Sequence, residues 1–405
     1  MNYKLANMSK PALLGGKPVR RDFLPYFLPS IEKDEINAVT KTLKSNWITT
    51  GPRTREFGEK FKKYIGCKHA IAVSSCTAGL HLSLIACGVG GGDEVITSPF
   101  TFAATANVIV HQGAKPVFVD IDEETYNINP EKIEDKISNK TKAIIPVHYG
   151  GHPCEMDEIL KIAREHKIPI VEDAAHAIGS EYKDKKIGTI GDVTSFSFYA
   201  TKNITTAEGG MVTTDNDEIA KEIGMWSFHG MSKDAWKRYL SKGSWYYEIL
   251  APGYKYNMTD IQASLGICQL SKLGNFLRAR EKLAKRYTKA FSGMPEIVGP
   301  SVKKHVRHAW HLCPIQVNTD LLKIDRDKFI EALRAENIGT SVHFIPLYRH
   351  PFYQKTFGYK EGDFPVADHT YKRIVSLPLY PKMSMGDLDD VVEAVKKIVE
   401  YYKKS

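Results

Sequence analysis

From about residue 30 to residue 230, short apolar runs alternate with stretches whose apolar residues recur at helical spacing. Ser30 is placed to cap a helix whose apolar face carries Ile36, Val39 and Leu43. Ala70–Val73, Glu94–Thr97, Pro116–Val119, Ala143–Val147 and Ile168–Val171 read as short buried strands. Helical patterns fall between most of them, such as Ala78–Cys87 and Met156–His166. This alternation predicts an α/β fold with a mainly parallel sheet covered by helices on both faces. Ligands of such sheets bind at the carboxyl ends of the strands.

The pattern changes near residue 260. Asp260–Phe291 is one long helical stretch rich in Leu, Ala, Lys and Arg. Shorter strands (Leu312–Val317, Thr340–Phe344, Ile374–Leu377) and helices (Arg326–Glu336, Asp387–Tyr402) follow. The reading is a large unit over residues 1–265, leading segment included, and a smaller α+β unit over residues 266–405.

Composition narrows the class. The 405 residues, 42% hydrophobic and 25% charged, are those of an ordinary globular chain, not a disordered or coiled-coil one. No apolar run is long enough for a transmembrane helix, and Met1–Arg21 lacks the apolar centre of a secretory signal. Cys67, Cys76, Cys87, Cys154, Cys268 and Cys313 form no C-x-x-C pair, so reduced thiols in a cytoplasmic protein are expected, with no metal site. The net charge of +9 permits an anionic partner, but no arginine-rich tract or aromatic-basic stripe points to nucleic acid.

Three short segments carry candidate chemistry. Lys202 follows the alternating run Ser195–Phe198, with Ser197 five positions before it and Gly209-Gly210 soon after. Taken alone, a lysine there reads as a surface residue. Asp173 closes an apolar strand; it is either a site acid or the cap of the next turn. It lies 29 positions before Lys202, room for another strand, so both can project from one sheet edge. Ser74-Ser75-Cys76-Thr77-Ala78-Gly79 joins a strand to a helix start, where free N–H groups and hydroxyls suit a phosphate. The chain has no Walker motif, and Asp93 breaks the dinucleotide-binding spacing of its nearest glycine cluster. A lysine, an acid and a phosphate cradle are the protein parts that pyridoxal phosphate requires.

With these residues in view, the chain resembles the DegT/DnrJ-type sugar aminotransferases, pyridoxal phosphate enzymes of fold type I. The matching runs are Trp47–Pro52, Ala72–His81, Gly92–Ile96, Glu172–Ala177, Phe196–Phe198 through Lys202 to Ala207–Gly210, and Pro252–Asn257. They lie within a resemblance that spans about residues 22 to 400. It implies that Lys202 is the lysine that carries the cofactor and that Asp173 pairs with the pyridine nitrogen. Phe102 then stacks on one ring face and His176 packs on the other side. The backbone at Cys76 and Thr77, with the Ser197 hydroxyl, would hold the phosphate. Asn257 would reach it from the other subunit of a homodimer with shared sites. Phe102 replaces a common Trp and Ala207 a common Gly, changes that leave this chemistry intact. Relatives that dehydrate sugars carry His at the lysine position, so Lys202 favours transamination.

The resemblance further implies an amino donor, L-glutamate ahead of L-glutamine, and a nucleotide-linked keto-sugar acceptor. The Trp47–Pro52 loop, the run Gly253–Asp260, His308–His311 and Gly339–Phe344 look most like enzymes aminating carbon 4 of a UDP-4-keto sugar. Trp47, Thr49, Lys255 and His343 are the candidate sugar-site residues, while His308 and His311 read as structural. Two other readings stay open: a 3-keto or dTDP/GDP-4-keto sugar substrate, and a regulatory protein that binds pyridoxal phosphate without turning over.

Overall fold

The computed structural model describes residues 10–232 and 246–404. The first nine residues of the Met1–Arg21 segment lie outside it. The strands are β1 (His69–Val73), β2 (Glu94–Thr97), β3 (Lys115–Phe118), β4 (Thr141–Ile145), β5 (Val171–Asp173), β6 (Glu181–Tyr182), β7 (Lys185–Lys186), β8 (Val193–Ser197) and β9 (Gly210–Thr214), followed by β10 (Ile297–Val298), β11 (Val306–Arg307), β12 (Cys313–Val317) and β13 (Ile374–Leu377). The helices are α1 (Lys33–Lys44), α2 (Pro52–Ile65), α3 (Cys76–Ala86), α4 (Ala103–His111), α5 (Met156–His166), α6 (Asp217–Trp226), α7 (Asp260–Phe291), α8 (Arg326–Ala335), α9 (Pro351–Phe357), α10 (Pro365–Tyr371) and α11 (Met385–Tyr402).

One sheet runs β3-β2-β4 and another β5-β8-β9-β1. Single parallel bridges, Ile144 to Ile170 and Val147 to Asp173, stitch them edge to edge. Only β9 runs against its neighbours; the other pairings are parallel. The mainly parallel α/β architecture read from the pattern is therefore present. The register places the carboxyl ends of β1 and β8 in one row, because Val73 and Ser197 both pair with Gly210. Asp173 pairs with Ser195, at the same edge.

The long helix α7 is started by Thr259, whose hydroxyl accepts from the Gln262 N–H at 3.3 Å while the Gln262 carboxamide accepts from the Thr259 N–H at 2.9 Å. It belongs to two cores. Ala263, Leu273, Phe276 and Leu277 join Phe57, Phe61, Phe196 and Phe198 beneath the large sheet. Leu283, Ala284, Tyr287 and Phe291 pack with β12, β13, α8 and α11. The division expected at residue 265 thus falls inside one continuous helix. Leu13, Val19, Leu24 and Phe27 of the leading segment pack into this second core. Each side chain as large as Phe57 adds about 1.5–3 kcal/mol when fully buried.

Two local expectations are corrected. Ser30 does not cap α1: the helix starts after Glu32, whose N–H donates to the Glu35 side chain at 2.9 Å. The helix buries Glu35 and Thr42, and Glu35 meets Lys272 of α7 at 2.9 Å. Ile36 and Leu43 stay exposed, at 59% and 50%. Thr340–Phe344 forms no strand. Only Ser341 pairs, with Ser376, while the Gly339 N–H turns away to the Leu24 carbonyl. A ladder cannot propagate when successive backbone groups serve partners on different sides. No helix of the described residues is long and apolar enough to cross a membrane.

Candidate active site

Each strand end delivers one functional group. After β1 the chain turns through Ser74 and Ser75 into α3, with the Ser75 hydroxyl accepting from the Ala78 N–H at 3.0 Å. That leaves the N–H groups of Cys76 and Thr77 in a first helical turn, where no intrahelical acceptor exists. Thr77 is exposed and Cys76 buried. Burial, reinforced by the charge of Asp173, pushes the Cys76 thiol well above its ordinary range, so it stays protonated. Its Sγ contacts the Ser195 carbonyl at 3.5 Å. At the end of β8, the Ser197 oxygen accepts from the Tyr199 N–H at 3.3 Å, so its own proton can be given to an anion. Gly210 closes the floor of this cradle. A Cβ there would lie 2.5–2.7 Å from the backbone of Ser75 and Cys76, so only glycine lets β9 pass.

Asp173, 4% exposed, ends β5. Its Oδ2 accepts from the Thr105 hydroxyl at 2.8 Å and its Oδ1 from the Ala175 N–H at 3.1 Å. Burial raises its pKa, against the pull of these donors and of the Lys202 charge. A positively charged partner would relieve that cost, which is what a protonated pyridine nitrogen offers. Lys202 is brought down to about 8 by burial, with the Asp173 carboxylate opposing. Lys202, Asp173 and the Cys76 loop therefore share one electrostatic neighbourhood.

Behind Asp173 sits a fully buried pair. Glu172 Oε2 meets His148 Nε2 at 2.9 Å, and its Oε1 accepts from the Thr194 hydroxyl and the Gly191 N–H at 2.7 and 2.8 Å. His148 Nδ1 accepts from the Cys154 N–H at 3.0 Å, which assigns the proton to Nε2. The His148 N–H donates to the Asp173 carbonyl and the Asp173 N–H to that of Pro146, so β5 is held on its edge.

The walls are aromatic. His176 Nδ1 accepts from the Gly150 N–H at 3.2 Å, and its ring stacks on Phe344 at 5.8 Å. Burial holds its pKa well below 6.5, and the Lys202 charge adds to this. Phe102 is 64% exposed, with Phe344 at 6.2 Å, so its ring is open to a planar guest. His343 contacts Ser376 Oγ through Nδ1 at 2.9 Å and is pushed down to about 4 by burial and by Lys202.

Asn257, Trp47 and Thr49 form a second group, and Lys255 lies apart from their contacts, against Phe228. Asn257 bridges to Val73 at the end of β1, and its amide donates to Thr50 Oγ1 at 2.5 Å. Trp47 donates from its indole to the Thr50 carbonyl at 3.1 Å. The Thr49 carbonyl accepts from the Asp260 N–H at 3.1 Å. Lys255 Nζ lies 4.1 Å from the Phe228 ring centre. Asn257 thus lies beside the end of β1, with Trp47 joined to it through Thr50, whereas the Lys202 charge reaches His343.

Sequence reasoning did not single out Thr105 or Tyr149, and it read His311 as structural. Thr105 sits four residues after Thr101 on α4, the spacing that lets the two hydroxyls meet at 2.8 Å, and this was the one available signal. Tyr149 donates its hydroxyl to the His343 carbonyl, a contact between segments distant in sequence. His311 lies in the wall with its ring centre 4.4 Å from that of His176, whereas His308 stacks on Trp310 at 4.1 Å.

The donor set fits pyridoxal phosphate: a phosphate cradle, a carboxylate, a lysine of lowered pKa and an open aromatic face. The comparisons agree. The pattern of the DegT/DnrJ/EryC1/StrS aminotransferase family matches residues 29–396. MJ1066, an uncharacterized protein of Methanocaldococcus jannaschii, is 66% identical over 94% of this chain and 99% of its own. The spore coat polysaccharide biosynthesis protein SpsC of Bacillus subtilis is 56% identical over 94% of this chain and 98% of its own. Among solved structures, the putative sugar aminotransferase Spr1654 from Streptococcus pneumoniae in its PMP-form matches with a TM-score of 0.88 at 36% identity, covering 93% of this chain and 99% of that one. Helicobacter pylori PseC, an aminotransferase of pseudoaminic acid biosynthesis, matches with a TM-score of 0.87 at 31% identity, covering 94% and 100%. The chain thus belongs to the DegT/DnrJ/EryC1/StrS aminotransferase family, whose cofactor is pyridoxal phosphate and whose fold is type I.

Proposed function

We propose that this aminotransferase moves an amino group from L-glutamate to carbon 4 of a UDP-linked 4-keto sugar. The observation that carries the reading is Lys202, in the turn after β8, sharing the electrostatic neighbourhood of buried Asp173 in a chain that the sugar aminotransferase family matches over residues 29–396. SpsC and PseC, named for polysaccharide and sugar-acid biosynthesis, support an amino-sugar product.

In this reading the N–H groups of Cys76 and Thr77 and the Ser197 hydroxyl hold the cofactor phosphate. Phe102 and His176 would confine its ring from opposite sides, and Asp173 would keep a proton on the pyridine nitrogen. Bound pyridoxal phosphate supplies an electron sink for the carbon that loses its proton. Lys202 takes that proton from the α-carbon of glutamate and returns it on the other side of the exchange. A base lowered toward neutrality is suited to both directions, and such positioned transfer contributes about 10²–10⁴-fold. Both halves use one site, so the kinetics are ping-pong. Trp47, Thr49, Lys255 and His343 are assigned to the sugar nucleotide.

The working unit in this reading is a homodimer in which Asn257 of the partner subunit completes the phosphate site. Exposed Ile36, Leu43 and Ile48 in the described chain support such a contact. Six unpaired thiols fit a cytoplasmic setting. To test the function, the cofactor-loaded protein is treated with L-glutamate until its visible absorption disappears. It is then offered nucleotide-linked keto-sugars. Return of the absorption with UDP-4-keto sugars supports the reading. Failure with all of them rejects the substrate class, and indifference to glutamate rejects the donor.

A further inference from the structure

Several buried side-chain polar atoms of the described residues lack a hydrogen-bond partner, and three of them belong to residues that line one cavity. They are Ser30 Oγ, Asn203 Oδ1 and Arg280 Nε. The three residues are 8%, 4% and 1% exposed. Lys202 itself lines the same space. The room open to the centre of a water molecule is about 10 Å³, enough for about one water.

The walls join otherwise separate parts of the chain. Asn203, which lines the cavity, donates its amide to the Ala309 carbonyl at 2.9 Å, and its Oδ1 is left without a partner. Arg280 Nη1 donates to the carbonyls of Trp310, His311 and Leu379 at 3.2, 3.3 and 2.7 Å, leaving Nε–H to the cavity. Gln269 accepts from the Thr205 N–H at 3.4 Å and donates to the Ser30 carbonyl at 2.8 Å. The turn carrying Lys202, the segment carrying His311, and the leading segment at Ser30 all meet here.

The chemistry of the three atoms selects the guest. Arg280 Nε–H must donate, Asn203 Oδ1 must accept, and the Ser30 hydroxyl can do either. A halide satisfies the arginine but faces the carboxamide oxygen with like charge. A cation meets the arginine. A water accepts from one and donates to the other.

We propose that this cavity is a specific site for one water molecule held by Arg280, Ser30 and Asn203, and that through it Arg280 acts as a positioning residue for the turn bearing Lys202. The proposal rests on the reading of Lys202 as the reacting lysine.

Two experiments test it. Crystals of the cofactor-loaded protein are expected to show an ordered water within hydrogen-bonding distance of all three atoms. Its absence, or an anomalous bromide peak at that position after a bromide soak, overturns the site. Ser30→Val and Ser30→Thr then have nearly equal volume, but only Thr keeps the hydroxyl. Val is expected to slow the single-turnover reaction with L-glutamate about three- to tenfold, the equivalent of one net hydrogen bond, at unchanged half-saturation. Thr is expected to restore the rate. Equal rates for the two variants overturn the positioning role. A wild-type protein inert toward glutamate counts against the proposed donor alone, and the crystallographic result still decides the site.

Discussion

A Cβ on Gly210 would lie 2.6 Å from the carbonyl oxygen of Ser75. The floor of the proposed phosphate cradle is thus backbone against backbone, and β9 cannot take a side chain here without moving the start of α3. Gly210→Ala is expected to weaken pyridoxal phosphate binding at least tenfold and to cost about 1–3 kcal/mol of stability through overpacking. Cofactor titration and chemical denaturation measure the two effects. Unchanged affinity would mean that the cradle lies elsewhere.

Lys202→Ala removes the only group assigned to carry the proton. The glutamate half-reaction, followed in a single turnover, is expected to slow by at least about 10²–10⁴-fold. A rate near that of the wild type would disprove the assignment.

The same lysine affects stability in a defined pH window. Its folded-state pKa of about 8 lies below the 10.5 of an unfolded lysine. Below pH 8 both states hold the proton, and the folded state bears the full burden of a buried charge. Between about pH 8 and 10.5 the unfolded state binds more protons, so stability rises with pH. Cofactor-free Lys202→Met is therefore expected to exceed the wild type by up to about 3 kcal/mol below pH 8, with the gap closing toward pH 10.5. Denaturation curves at a series of pH values would reveal a constant gap if this were incorrect.

Thr105 donates to Asp173, and a hydrogen bond to a charged group contributes about 1.5–3 kcal/mol. Thr105→Val keeps the shape and removes the donor. The Asp173 pKa then rises further, so the acid limb of the pH–rate profile moves to higher pH. Ordinary fold stability together with an unmoved profile would separate Thr105 from the site.

Glu172→Leu leaves His148 Nε2–H buried without its acceptor and strips Thr194 and Gly191 of theirs. A loss of about 3–5 kcal/mol is expected, as for breaking any buried pair by removing one partner. Equilibrium unfolding by denaturant gives the number; a change under 1 kcal/mol would show that the pair is incidental.

Local order was readable along the chain. Glu94–Thr97, Met156–His166, Asp260–Phe291 and Ile374–Leu377 stand where the periodicity placed them. Apolar spacing reports burial directly, and burial is what these elements share. Lys202, Asp173 and the Ser74–Gly79 turn were recoverable because strand ends in an α/β sheet all face one edge. Thr340–Phe344 misled for the converse reason: its β-rich composition describes one segment, whereas a strand needs a partner in register.

The sequence by itself determined much of the strand and helix order, the family and the three segments proposed to meet at the site. The tertiary structure alone decided that α7 serves two cores, that α1 shows Ile36 and Leu43 to the outside, and that His311 joins His176 in the wall. It alone placed Thr105 on the Asp173 carboxylate and gathered Ser30, Asn203 and Arg280 around one cavity. Those are contacts between residues far apart in the chain. No local pattern encodes them, because their energy comes from partners that only the completed fold brings within a few ångströms.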